Sequence, residues 1–353
     1  MVPSPAGSLD DSRTCMAATT QSTATGPVPF KDLAGAVPVG LPTNDDDPKR
    51  MHVLICYQGT WVLDQHLPGI VSIQRSFVPR RGDVVLTSPP KCGTTWLKAL
   101  AFATMARGAY PPARADEHPL SRLNPHDCVP FMEMLFAADP EQAKSKMDAL
   151  PSPRLMATHM HHSILPSSIK DSADCKIIYI CRDPKDMVVS LWHFARRAQP
   201  ELSFPYMFED FCDGTSAAGP IWDHVLGYWN ASKEKPEKVL FLRYDEMLRD
   251  PAGNVRKLAQ FVGQPFSPAE EEAGVAMDIV RLCSFDTLRN LVVNKAAAGS
   301  SSSPSPSSSP FANDSYFRKG EDGDWVNHVT PDMARRLDAV VEEKLRGSGL
   351  SFA

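Results

Sequence analysis

Short apolar runs alternate along this chain with longer amphipathic ones. Val84-Val-Leu-Thr87, Cys175-Lys-Ile-Ile-Tyr-Ile-Cys181 and Lys238-Val-Leu-Phe-Leu-Arg243 are each bounded by turn residues and rich in β-branched or aromatic side chains. Runs of that length and composition read as buried strands. Each feeds a helix-forming segment: residues 94 to about 107, residues 184 to about 197, and a shorter helical turn over 245–249. A further strand is expected just before Thr158-His159. Strands apolar at consecutive positions, each followed by a helix, belong to a parallel sheet covered on both faces. The expected fold class is α/β, a single domain with a central parallel sheet flanked by helices. Ligands of such sheets bind beyond the C-terminal strand ends.

The pattern fades in two places. Residues 1–50 are rich in Pro, Gly, Thr and Asp without a clear period and read as a disordered leader. Order is expected from near His52, so that residues 51–353 form the domain. Residues 296–310 run from Ala-Ala-Ala-Gly into Ser/Pro repeats and read as a flexible insertion. The composition is that of an ordinary globular protein: 353 residues, 42% hydrophobic, 22% charged. A net charge of −5 argues against bulk binding to nucleic acid or a membrane surface. The eight cysteines form no Cys-x-x-Cys pair and read as reduced thiols. No apolar run reaches membrane-spanning length and no secretory signal is visible, so a cytoplasmic location is expected.

Chemistry concentrates where the strands end. Asp83-Val-Val-Leu-Thr-Ser-Pro-Pro-Lys-Cys-Gly-Thr-Thr-Trp-Leu97 is a strand, a tight Pro/Gly loop and a helix opening on two threonines. Such a turn aims backbone N–H groups and the positive end of a helix dipole into one space. Lys91 adds a point charge and Thr94 and Thr95 add hydroxyls, which together suit a phosphate-like dianion. The lysine precedes the glycine, unlike the ATP-type P-loop, in which Gly comes before Lys-Ser/Thr. A second anion signal is Arg182-Asp-Pro-Lys-Asp186, with Ser190 two turns into the next helix, and a third is Phe317-Arg-Lys-Gly320 ending in Gly323-Asp-Trp325. Three such signals on one sheet edge weigh far more than one. Between the first two lies Thr158-His-Met-His-His162, and a histidine just after a strand beside an anion site is a candidate general base. No nearby carboxylate completes a metal ligand set with His161 and His162, and no metal is expected.

These motifs, in this order, resemble those of the cytosolic sulfotransferases, most closely the plant soluble members. Thr87-Ser-Pro-Pro-Lys-Cys-Gly-Thr-Thr-Trp96 looks like the loop that binds the 5'-phosphosulfate of 3'-phosphoadenosine-5'-phosphosulfate (PAPS). Tyr179-Ile-Cys-Arg-Asp-Pro-Lys-Asp-Met-Val-Val-Ser190 looks like the 3'-phosphate segment, and Arg318-Lys-Gly-Glu-Asp-Gly-Asp-Trp325 like the C-terminal signature. Thr158-His159 is similar to the catalytic-histidine segment, and Asn124-Pro-His-Asp-Cys-Val-Pro-Phe131 and Tyr57-Gln-Gly-Thr-Trp61 also resemble plant members. The resemblance runs from about His52 to the C-terminus and implies a P-loop-like nucleotide-binding architecture. It implies PAPS as donor co-substrate and a small hydroxylated acceptor. It assigns His159 as base and Lys91 as stabiliser of the leaving 5'-phosphate oxygen. The cradle would comprise Lys91, Cys92, Gly93, Thr94, Thr95 and Trp96, with Arg182, Ser190, Arg318, Lys319 and Gly320 at the 3'-phosphate. Phe285 would face Trp96 across the adenine, with Tyr244 at its edge. Each has a plainer rival: Trp96 and Phe285 as core, Ser190 bonded within its helix, Tyr244 capping a turn, Cys92 as filler or reactive thiol.

The chain departs from the family pattern at three places. His161 stands where a proline is usual. Val326, Pro331 and Arg335 replace the Lys, Val and Glu of the animal dimer stretch, so a monomer is expected. The Ser/Pro segment falls in the part that folds over donor and acceptor in this family, and its deletion is expected to change turnover more than PAPS affinity. A pocket of Tyr57, Trp61, Phe131, Met132 and His161 would suit a flavonoid, phenolic, steroid-like hormone or hydroxy-jasmonate. Two other readings stand beside this one: a PAPS-binding protein without catalysis, and a P-loop nucleotide kinase, which the Lys-before-Gly order disfavours.

Overall fold

The computed structural model describes residues 26–30, 54–295 and 313–352. The insertion expected over 296–310 lies outside the described residues, as does most of the expected leader. Residues 26–30 correct the leader reading. Phe30 is buried in the core, and a Cβ on Gly26 would lie 2.6 Å from the Met105 carbonyl oxygen. A few apolar residues in a polar stretch carry too little period to reveal such a docking.

The centre is a four-stranded parallel sheet in the order β4-β3-β5-β6, with β3 Val84–Thr87, β4 Leu155–Thr158, β5 Lys176–Cys181 and β6 Val239–Arg243. Every residue of β3 and β4 is buried, as expected for strands covered on both faces. Alternate side chains serve two cores. Val85, Met156, Ile177 and Tyr179 pack on one face, and Leu86, Ala157, Ile178 and Ile180 on the other. A hairpin the hydrophobic pattern did not announce, β1 Leu54–Tyr57 and β2 Thr60–Leu63, turns through Gln58 and Gly59 at positive φ.

The helices that position the site follow the strands directly. Helix α1 (Thr94–Met105) follows β3, α2 (Pro184–Ala195) follows β5, and a short helix at Tyr244–Arg249 follows β6. Asp183 caps α2 by accepting from the Lys185 N–H at 2.7 Å, with Pro184 at the first helical position. Because β4 lies on one side of β3 and β5 on the other, the strand order reverses between β3 and β5. The crevice beyond the C-terminal ends of those two strands is the expected ligand site. Both loops that leave it, Ser88–Gly93 and Arg182–Asp183, carry anion motifs.

Candidate active site

A cavity of about 700 Å³ opens at that crevice. The register of the sheet explains its chemistry. Thr87 pairs with Thr158, so the next residues along, Ser88 and His159, leave the sheet side by side. The Ser88 carbonyl then accepts from His159 Nδ1 at 2.7 Å. A carbonyl only accepts, so Nδ1 carries the ring proton and Nε2 keeps its lone pair. The backbone of His159 is held from both sides. Its N–H donates to Glu133 Oε1 at 2.7 Å, and its carbonyl accepts from His224 Nε2 at 3.2 Å. Burial pushes His159 down to about 3 against the Ser88 bond, and Lys98, His66 and Lys91 add to the depression. The imidazole is therefore neutral at physiological pH, the state a base requires.

The Lys91 loop is built on unusual backbone. Lys91 has φ of +66° and Gly93 of +96°. A side chain on Gly93 would meet the Tyr244 ring at 2.7 Å, so glycine is required there twice over. Gly93 caps α1, whose first N–H groups have no intrahelical partner and face the loop. Thr94 Oγ1 lies 2.6 Å from Ser88 Oγ, while Thr95 Oγ1 lies 3.0 Å from His126 Nε2. Lys91 Nζ stands 4.1 Å from the centroid of the Phe194 ring. Burial, and then the guanidinium groups of Arg318, Arg182 and Arg197, lower Lys91 to about 7. Four cations gathered in this way are poised for an anion.

The second and third signals meet the first. Arg182 lies over the Tyr244 ring at 4.7 Å, donates to the Glu321 carbonyl, and keeps its Nε buried without a hydrogen-bond partner among the described residues. Ser190 lines the cavity and its hydroxyl has no partner among the described residues, so it does not bond within its helix. Asp186 of α2 accepts the Gly323 N–H at 2.7 Å and the Trp325 N–H at 3.0 Å, which fastens the C-terminal signature to β5's helix. Arg318 and Lys319 both reach Asp324. Burial raises that carboxyl, but hydrogen bonds from Lys319, Arg318 and Asn327 outweigh it and hold Asp324 well below the usual range. Gly320, at φ of +71°, would place a Cβ 2.4 Å from the Phe285 ring. Trp96 meets Tyr244 edge to face at 5.7 Å.

Of the residues singled out from the sequence, Lys91, Gly93, Thr94, Thr95, Trp96, Arg182, Ser190, Tyr244, Phe285, Arg318, Lys319 and Gly320 all line this one cavity, together with Trp61, Phe131, His159 and His161. Three do not. Cys92 turns its thiol into the core, where burial pushes it up to about 12, so it is neither a reactive thiol nor a wall of the cavity. Tyr57 donates its hydroxyl to Gln74 Oε1 at 2.8 Å, and Met132 is wholly buried; neither lines the cavity. His161 spends its Nε2 proton on the Ala218 carbonyl at 2.8 Å, and burial lowers it to about 4. Lys98 and Glu133 carry no sequence signal of their own, whereas His126 lies within the Asn124–Phe131 stretch and Asp186 closes the Arg182–Asp186 motif.

Comparison with known proteins agrees with this geometry. A family model described as a sulfotransferase domain matches residues 81–349. Cytosolic sulfotransferase 5 of Arabidopsis thaliana is 42% identical, over 84% of this chain and 90% of the relative. Flavonol 3-sulfotransferase of Flaveria bidentis is 43% identical, over 86% of this chain and 94% of the relative. The crystal structure of an Arabidopsis thaliana putative steroid sulphotransferase is similar with a TM-score of 0.67 and 36% identity, covering 89% of this chain and 94% of that one. Mouse sulfotransferase SULT7A1 complexed with PAP is similar at a TM-score of 0.63 and 27% identity, covering 84% and 95%. The expected α/β fold and family resemblance hold, and this chain is a member of the sulfotransferase family.

Proposed function

We propose that this sulfotransferase takes its sulfuryl group from PAPS and delivers it to a hydroxyl of a small, largely apolar metabolite, with His159 as base. One observation carries the reading: three separate anion motifs and a neutral, oriented imidazole face a single cavity. PAPS, when bound, supplies an activated sulfuryl group on a phosphate leaving group. The cavity suits it on its own terms. The buried Arg182 Nε and the unbonded Ser190 hydroxyl are polar groups waiting for an acceptor, and the start of α1 provides N–H donors.

His159 Nε2 would accept the acceptor's hydroxyl proton, with Nδ1–H held by Ser88 throughout. Lys91 would stabilise charge on the departing 5'-phosphate oxygen, and Thr94 and Thr95 would hold that phosphate. Arg182, Ser190, Arg318, Lys319 and Gly320 would bind the 3'-phosphate. Trp96, Phe285 and Tyr244 would hold the adenine. Sulfuryl transfer, like phosphoryl transfer, gains most from positioning and charge stabilisation. On the acceptor side the wall is formed by Trp61, Ile70, Phe131, Met134 and Met207, which favours a flat or rigid phenolic, flavonoid, steroid-like or hydroxy-jasmonate acceptor. We place the enzyme in the cytoplasm, as the names of its relatives support, and read it as a monomer.

Labelled PAPS offered with a panel of phenolic, steroid and jasmonate acceptors tests the reading directly. Label should reach at least one class. His159→Ala should lower turnover by about a thousandfold or more while PAP binding stays within about twofold. Loss of PAP binding in that variant would make His159 a structural residue.

A further inference from the structure

Thr95 is tied to two side chains outside the anion loop. Its Oγ1 lies 3.0 Å from His126 Nε2, and His126 Nδ1 lies 3.0 Å from Lys98 Nζ. Lys98 is fully buried one turn into α1. Its Nζ also donates to the Val129 carbonyl at 2.9 Å and sits 3.3 Å from the centroid of the Phe131 ring. Burial lowers Lys98 well below the usual lysine range, but a carbonyl oxygen, an aromatic face and an imidazole nitrogen are three electron-rich partners, one for each hydrogen of an ammonium group, and together they favour that form, which has no lone pair to accept with. The His126 ring is itself wedged between Phe131 and Tyr316, with centroids at 5.3 and 4.2 Å, so it cannot easily turn over.

We propose that Lys98 and His126 form a relay that sets the direction of the Thr95 hydroxyl. Lys98 donates to His126 Nδ1, which must then offer its lone pair. The ring proton consequently sits on Nε2 and is donated to Thr95 Oγ1. With its oxygen already accepting from His126, Thr95 turns its own O–H towards the cavity as a donor. The opposite tautomer would accept the threonine proton and present oxygen lone pairs to the ligand, which a phosphate oxygen repels. Lys98 and His126 are positioning residues in this scheme, acting on the ligand through Thr95. The inference rests on the reading of this cavity as a PAPS site, and it adds a reason for a fully buried lysine in the helix that begins there.

Two measurements on the full chain decide it. Long-range proton–nitrogen NMR correlations of the His126 ring in ¹⁵N-labelled protein should show the Nε2–H tautomer; the Nδ1–H tautomer overturns the relay. This readout needs no nucleotide and no activity. Calorimetry then gives PAP affinity for Thr95→Val, His126→Phe and the double variant, with melting temperature as the check on folding. Each single change should weaken PAP by about tenfold, the worth of one charge-assisted hydrogen bond. The double variant should be no weaker than Thr95→Val alone, whereas independent losses multiplying to about a hundredfold would overturn the relay. Lys98→Met should give the Thr95→Val affinity, and wild-type affinity in it counts against the proposal. If a variant does not fold, the tautomer measurement still decides. A wild-type protein that fails to bind PAP would sink the nucleotide reading and leave the His126 tautomer to judge the relay.

Discussion

Lys91 combines a left-handed backbone, burial and a ring of guanidinium groups, and each of these follows from its place in the loop. Burial and the Arg318, Arg182 and Arg197 charges bring it to about 7, so the free enzyme holds it charged below that pH and neutral above it. If the charge stabilises the leaving group, kcat/KM should fall as pH rises through about 7, since kcat/KM reports the free enzyme. Lys91→Arg keeps a charge that does not titrate in this range. Its kcat/KM, though lower, should stay level up to about pH 9, and an alkaline limb unchanged in that variant would assign the limb to another group. His159 titrates far below this window because burial lowers it to about 3, so no acid limb above about pH 5 should come from it.

Among the elements, the decisive event is the fastening of distant segments onto the β3–β5 crevice. Asp186 on α2 bonds the backbone of Gly323 and Trp325, and Gly320 approaches the ring of Phe285, the first residue of the helix Phe285–Asn290, too closely for a side chain. Both contacts are short-range and unforgiving. Gly320→Ala puts a Cβ 2.4 Å from the Phe285 ring and asks alanine to hold φ of +71°. The left-handed conformation alone costs a non-glycine residue about 1–2 kcal/mol. PAP affinity, measured by calorimetry, should fall by about tenfold or more while the melting temperature drops by only about a few degrees, and unaltered affinity would show that Gly320 is no part of the cradle.

Elements were legible in unequal measure. The strand–loop–helix around Lys91 lies within 15 consecutive residues, from Asp83 to Leu97, so local apolar runs and turn residues sufficed to find it. The same held for β5 and β6, whose expected starts differ by one residue from those observed. Lys98 and Glu133 were not legible as site residues. A charged residue on an amphipathic helix reads as solvated surface until the element that covers it is in place. Tyr57 was misassigned for the reverse reason: an aromatic residue near other pocket residues in sequence turned its hydroxyl to Gln74 on a neighbouring helix.

At the scale of the molecule, several imidazoles are buried in neutral form. Burial lowers His118, His161 and His162 to about 4 and His159 to about 3, whereas each titrates near 6.5 when unfolded. Between those values the unfolded chain binds more protons than the folded one. Stability is therefore full above about pH 6.5 and is lost progressively as pH falls towards 4. The melting temperature should drop steadily from about pH 7 to pH 5, with the steepest loss at the acid end. A flat profile would mean that the folded protein accommodates these charges by local opening.

The sequence by itself determined the α/β class, the parallel strands at β3, β5 and β6, and the three anion motifs with His159 between them, because each rests on the order of neighbouring residues. Tertiary structure decided everything that depends on distance between segments. It brought Ser88 beside His159 and so chose which nitrogen of that ring carries the proton and which keeps its lone pair. It withdrew Cys92, Tyr57 and Met132 from the cavity, and it put Lys98 and His126 behind Thr95. Proton positions and pKa values are set by what surrounds a group in space, and a linear pattern carries the identity of the group without its surroundings.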